Sequence, residues 1–150
     1  MTGVRIERQS SLSADEAWRR LTDWARHGQR LPLTTVMVRT PPPTGVGTVF
    51  VARTRLGRLH LDDPMRVVRW RPPHGELPGY CRVEKQGPLI TGWAEIEVSP
   101  CRGGSSILWR EEIELRRVPR WFAPLSRAVG RLVFGRVVTG LLAEEDPAKA

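Results

Sequence analysis

Between Thr34 and Arg116 the chain breaks into short runs rich in β-branched and aromatic residues, and the spacers between them are too short for anything but hairpins. The runs are Thr34–Arg39, Thr48–Arg55, Leu59–Asp62 with Arg66–Trp70, Tyr80–Lys85, Gly92–Val98 and Ile107–Arg116. The spacers, "PPPTGVG", "LG", "RPPHGELPG", "QGP" and "SPCRGGS", are proline and glycine punctuation. Parallel neighbours need a crossover of about a dozen or more residues, which none of these supplies. With an opening strand at Val4–Gln9, where Val and Ile alternate with Arg and Glu, an antiparallel meander of six or seven strands is expected. Asp62 and Asp63 ahead of Pro64 read as a strand break or turn.

Two stretches carry helical spacing instead. In "LSADEAWRRLTDWARHG", Ser13 with Glu16 three residues on is a capping box, and Leu12 can staple onto Ala17. Ala17, Trp18, Leu21, Trp24 and Ala25 then recur on one side until Gly28 ends the run. From Arg120 to about Leu142, Trp121, Phe122, Leu125, Val129, Leu132 and Val133 mark a helix of roughly 20 residues, about 30 Å long. Pro124 suits an early position in it or a kink. Gly130, Gly135 and Gly140 each weaken it by about 1 kcal/mol relative to alanine. The tail 144–150 is expected to fray. The order is strand, helix, many antiparallel strands, long terminal helix: an α+β domain spanning 1–150. The terminal helix is the one large cover for the sheet's apolar face, and space left between them is a plausible consequence.

A formal charge of +8, carried by arginine except at Lys85 and Lys149, would attract polyanions. Arg120, Arg127 and Arg131 share a narrow sector of the terminal helix and, with Arg116 and Arg117, form a basic edge. That edge is either a solvated face or a contact for a nucleic acid or membrane surface, although no nucleic-acid-binding signature accompanies it. Cys81 and Cys101 do not make a disulfide framework. His60 and His74 lack metal-ligand spacing, so neither metal nor cofactor is expected. The start "MTGVRIERQ" lacks the apolar core of a signal peptide, and Leu132–Leu142 is too short to span a bilayer, which fits a reducing cytoplasm.

The residues that could carry chemistry follow from strand alternation. In "SSILWREEIEL" one face carries Ile107, Trp109, Glu111, Ile113 and Leu115, a core face with a carboxylate in its middle. Burial would raise the Glu111 pKa. Glu111 would then be a proton donor, a general base or an anchor for a ligand hydroxyl. The structural alternative is an ion pair with an arginine, or a hydrogen bond with a backbone amide or an indole N–H. Trp109 shares that face and could stack on a flat ligand or simply pack the core. Phe50 alternates with Thr48, Ala52 and Thr54, a mixture that suits a cavity wall. Tyr80 and Arg82 alternate with Cys81 and Val83, and reach a pocket only if the register turns them inward. His27, near a helix end, is placed to hold a carbonyl. Motifs of the GxSxG, P-loop or GxGxxG type do not occur.

Several segments carry a resemblance: "SADEAW", "RHGQRLPLTTV", "GVGTVFVARTRLG", "DDPMRVVRWRPP" and "GGSSILWREEIEL". In order and spacing they resemble the START-like, or SRPBCC, superfamily with its Bet v 1-like helix-grip fold, and within it the polyketide cyclase/dehydrase and lipid-transport-like branch. The resemblance covers nearly the whole chain. It implies a curved sheet wrapped around the terminal helix, and a small hydrophobic or aromatic ligand, lipid- or polyketide-like, held between them. Trp109, Phe50, Tyr80, Arg82, Trp121 and Val129 are the expected contacts. A minority of that superfamily cyclise or dehydrate polyketide chains, which would make Glu111 an acid or base, and some relatives bind partners such as ribosomes. The sequence leaves monomer and homodimer open.

Overall fold

A computed structural model of the chain describes residues 2–31, 33–88, 90–115 and 138–143. Its elements are β1 (Thr2–Ser10), α1 (Ala14–Leu21), α2 (Trp24–Arg30), β2 (Thr34–Val38), β3 (Val49–Leu56), β4 (Leu59–Arg71), β5 (Gly79–Lys85), β6 (Ile90–Cys101) and β7 (Gly104–Leu115). They build one seven-stranded sheet in the order β1-β7-β6-β5-β4-β3-β2. Every pairing is antiparallel. From β2 to β7 each strand pairs with the next, as the short spacers require. β1 then closes onto β7, with Ile6 opposite Trp109 and Val4 opposite Glu111.

Alternation decides the two faces of this sheet. Cys81 and Val83 on β5, Ala94, Ile96 and Val98 on β6, and Ile107, Trp109 and Glu111 on β7 are buried, while their sequence neighbours are half-buried or exposed. Ala17, Trp18 and Leu21 of α1 cover part of this inner face. The Trp18 ring meets Trp70 with centroids 5.0 Å apart. Gly79 makes that contact possible, because a Cβ there would lie 2.7 Å from the Trp18 ring and from Pro73.

The helical stretch expected after β1 is two short helices, α1 and α2. Ser13 does cap α1, its hydroxyl accepting the Glu16 N–H at 3.2 Å. The Glu16 carboxylate turns to Arg19 and Arg20, so only half of the expected box forms. At the other end the Thr22 hydroxyl donates to the Trp18 carbonyl at 2.8 Å, competing with helix propagation. The chain leaves helical geometry at Asp23 (φ −82°, ψ 85°) and restarts at Trp24. Gly28 therefore lies inside α2, where the backbone passes so close to β2 that a Cβ would stand 2.8 Å from the Val36 nitrogen.

The break expected at Asp62–Asp63–Pro64 does not occur: β4 runs through all three. Within a strand a residue's N–H and C=O point to the same side. The Pro64 carbonyl accepts the Gln86 N–H at 2.7 Å, so its missing N–H faces the β5 side, where β5 has already ended at Lys85. Continuity sends the two aspartates to opposite faces. Asp62 goes outward to a two-pronged pair with Arg53 at 2.7 and 2.9 Å, and Asp63 goes inward.

Most of the expected terminal helix, including Trp121, Val129 and the basic edge at Arg116, Arg117, Arg120, Arg127 and Arg131, lies outside the described residues. Residues 138–143 are helical, and Val138 and Leu141 are fully buried in the core. Arg20 donates to the Leu142 carbonyl at 3.4 Å and Arg8 to the Thr139 hydroxyl at 3.2 Å, tying this turn to α1 and β1. Among the described residues no helix is long and apolar enough to cross a membrane.

The β6–β7 pairing depends on one backbone position. Gly92 has φ 132°, and a Cβ on it would collide with the Glu112 carbonyl oxygen across the pair. Gly92→Ala should cost on the order of 1–3 kcal/mol. By thermal unfolding that is a Tm drop of roughly 3–10 °C. A drop under about 1 °C would mean that the strands repair freely there.

Candidate functional site

Between α2 and the inner face of the sheet lies a cavity of about 210 Å³. The break after Thr22 is what aims α2 at it, because Trp24 and His27 both line the space. Trp24 stacks on Phe50 of β3 almost face to face, with centroids 4.6 Å apart and planes 8° from parallel. His27 sits between two indoles, 5.5 Å from Trp24 and 5.6 Å from Trp109. Aliphatic side chains from β2 and β6, among them Val36, Ala94 and Ile96, complete the apolar wall. Leu61 lines the cavity and remains 38% exposed, beside the β3–β4 hairpin.

One end of the cavity is polar. Lys85 of β5 donates to Asp63 Oδ2 of β4 at 2.6 Å and stands 3.6 Å from Glu111 Oε1 of β7. The Trp109 indole N–H donates to Glu111 Oε2 at 3.3 Å. The Lys85 and Glu111 side chains are 4% and 3% exposed. Two carboxyl groups therefore share one ammonium among apolar residues. Burial pushes the Glu111 carboxyl above its ordinary value, and Lys85 and the Trp109 hydrogen bond offset this only in part. Burial likewise raises Asp63 against the pull of Lys85. For Lys85, burial opposes the charged form, but Glu111 and Asp63 together outweigh it and hold its pKa above the ordinary value. The arrangement keeps an ammonium charged beside a carboxyl poised to carry a proton.

His27 Nε2 lies 2.7 Å from the Leu21 carbonyl, so it carries the hydrogen and leaves Nδ1 as the acceptor of the neutral ring. It thus holds a carbonyl at the end of α1, from within α2. Burial lowers its pKa and favours that neutral form. Burial also pushes the Cys81 thiol up to about 12, which removes it as a nucleophile near neutral pH. Among the described residues no group of His, Cys, Asp and Glu is placed to hold a metal ion.

Of the expected site residues, Glu111, Trp109 and Phe50 line this cavity, together with Ala52 and Thr54 from the Phe50 face. Tyr80 and Arg82 do not. Cys81 and Val83 take the inward positions, which buries apolar atoms, and Tyr80 and Arg82 project from the opposite face. There the Tyr80 hydroxyl donates to Glu95 at 2.6 Å, Arg82 donates to Glu95 at 3.0 Å, and the guanidinium lies 4.7 Å above the Trp93 ring. Glu111 finds an indole N–H, as one structural alternative anticipates, but its cation is a lysine and not an arginine. Asp63 and Lys85 escaped the sequence reading. Their signal was parity: Asp63 is in phase with Met65 and Val67, and Lys85 with Cys81 and Val83. A strand broken at Pro64 hides the first of these phases.

No protein-family model matches the sequence, and neither does any curated protein sequence. Solved structures do match. Protein CV1439 from Chromobacterium violaceum superposes with a TM-score of 0.68 at 13% identity, covering 98% of this chain and 99% of that one. The di-domain ARO/CYC BexL from the BE-7585A biosynthetic pathway superposes with a TM-score of 0.68 at 15% identity over 97% of this chain and 50% of its own length. The Zhui aromatase/cyclase from Streptomyces sp. R1128 gives a TM-score of 0.56 at 14% identity, over 93% of this chain and 85% of that one. At these identities the likeness is one of fold, which this chain shares with the structures just named.

The polar end should announce itself in the pH dependence of stability. Because the folded state holds the Glu111 proton more tightly than the unfolded state does, stability is greatest below the ordinary carboxylate value and falls as pH rises through the raised one. Glu111→Gln removes this slope, while the opposite slope of His27 is common to both chains and cancels. The variant should therefore gain stability relative to the parent as pH climbs above about 4.5, by up to about 1.4 kcal/mol per pH unit within the window. Chemical denaturation between about pH 4.5 and 8 measures the difference, and a flat difference would contradict the raised carboxyl. Lys85→Met, which strands both carboxylates, should lose about 3–5 kcal/mol at neutral pH and recover part of it in acid. A loss under about 1 kcal/mol in the same assay would mean that the ammonium does not hold the pair.

Proposed function

We propose that this chain binds a small hydrophobic or aromatic molecule, lipid- or polyketide-like, in the cavity beside α2, with the 120–142 segment closing it as a long helix. The observation that carries this reading is an aromatic-walled space of about 210 Å³ with a buried polar cluster at one end. Binding sites combine an apolar lining with a few polar groups that fix orientation. An apolar cavity of about 150 Å³ admits benzene, so this one suits a guest of roughly one or two rings. The parallel Trp24–Phe50 pair extends a flat wall along which such a ring can lie. The aromatase/cyclase structures that share the fold are consistent with this reading, although fold and activity are separate matters.

A second reading, an enzyme of the cyclase or dehydratase kind, is favoured by the Asp63–Lys85–Glu111 cluster. Lys85 would polarise a carbonyl oxygen while Glu111 takes the proton from the adjacent carbon, leaving an enolate that attacks a second carbonyl of the same chain. Glu111→Gln separates the readings: an enzyme keeps binding but loses turnover of a poly-β-ketone substrate, and a pure binding protein shows no turnover in either form.

For the binding reading, a neutral naphthalene probe at about 100 times its Kd should add about 2.7 kcal/mol of stability. That is a Tm rise of about 5–10 °C. Quenching of tryptophan fluorescence should accompany it. Ala94→Phe, which fills the cavity from β6, should abolish both responses. Silence of the parent chain toward a broad hydrophobic library, or an undiminished response in the filled variant, would contradict the proposal.

A further inference from the structure

We infer that the polar end of the cavity selects a guest whose head group donates a hydrogen bond, a hydroxyl or a protonated amine, and turns away a carboxylate head; this rests on the binding reading above. The inference follows from counting donors and acceptors. Lys85 has three N–H donors. They face Asp63 Oδ2 at 2.6 Å and, each at 3.6 Å, Glu111 Oε1 and the Met65 sulfur, so the short hydrogen bond is the one to Asp63. The Trp109 indole N–H is occupied by Glu111. Asp63 Oδ1, by contrast, is buried with no hydrogen-bond partner among the described residues. Its lone pairs want a donor that the described part of the chain does not supply.

Charge points the same way. Among the described residues the titratable groups lining the cavity are Asp63, Lys85, Glu111 and His27. His27 favours its neutral form. Among the described residues two carboxyl groups then face one ammonium, and a carboxylate guest would bring a further anion to a site where Asp63 already holds Lys85. In a poorly solvated cavity that repulsion is strong. An ammonium guest would restore balance by letting Glu111 ionise, and the Trp24, Phe50 and Trp109 rings offer π faces to it. A hydroxyl guest would donate to Asp63 Oδ1 without any change of charge. Trp24 Nε1, on a residue of the same lining, is also buried without a partner among the described residues, an unmet donor to match this unmet acceptor.

The test is calorimetric titration of the full chain at neutral pH with three probes of one ring system: 2-naphthylmethanol, 2-naphthylmethylamine and 2-naphthoic acid. The alcohol and the amine should each bind at least about tenfold more tightly than the acid. Asp63→Asn, nearly isosteric and less charged, should shrink that gap to under about threefold. An acid that binds the parent chain as tightly as the alcohol overturns the inference and leaves the binding reading standing. Equal discrimination in Asp63→Asn overturns the role of Asp63, and with it the inference. If none of the three probes binds, the binding reading falls and takes this inference with it.

Discussion

A lysine ammonium buried on the inner face of an antiparallel sheet is the constraint around which the rest of this site is arranged. Such a charge survives away from water only when paired and hydrogen-bonded. Lys85 meets that demand with Asp63 from the strand before and Glu111 from the strand two along in the sheet. Three strands must therefore keep register for the cluster to exist. β4 must run unbroken through Pro64 to bring Asp63 inward, β5 must place Cys81 and Val83 inside for Lys85 to follow in phase, and β7 must hold the Trp109–Glu111 face. A one-residue slip in any of them would send its member of the cluster to the outer face.

Much of this arrangement was legible in the residues. Short spacers dictated antiparallel hairpins, and alternation placed Glu111, Trp109 and Phe50 on one side: burial in β7 alternates from Ser105 to Glu111, and Phe50, Ala52 and Thr54 of β3 line one cavity wall. What escaped did so for physical reasons. Pro64 reads as a breaker since it cannot donate to a ladder, yet it sits where the neighbouring strand has ended and no donor is required. Trp24 continues the helical spacing of α1, so the break at Thr22–Asp23, made by a side-chain hydrogen bond and one non-helical residue, leaves no mark in the periodicity. Tyr80 and Arg82 could be assigned to either face until the burial of Cys81 and Val83 decided it. Lys85 looked like an ordinary strand-end charge because its partners come from distant parts of the sequence.

These features give the cavity a direction. Trp24, Phe50 and His27 form an aromatic flank held by α2 and β3, and the charged trio closes one end. An apolar body with a polar head is the molecular shape such a space accommodates, because ring area is buried against ring area while one polar group meets hydrogen-bonding partners. The neutral tendency of His27 leaves the trio as the charged part of the described lining.

The most direct measurement of the cavity's role is the indole N–H region of a ¹H–¹⁵N correlation spectrum, recorded while 2-naphthylmethanol is titrated into the full chain. Trp24 and Trp109 line the cavity, whereas Trp18, Trp70 and Trp93 lie away from it. The account predicts that the Trp24 and Trp109 signals move together along one binding curve while those three stay in place. Saturable shifts confined to Trp18, Trp70 or Trp93, or no saturable shift at Trp24 and Trp109, would contradict it.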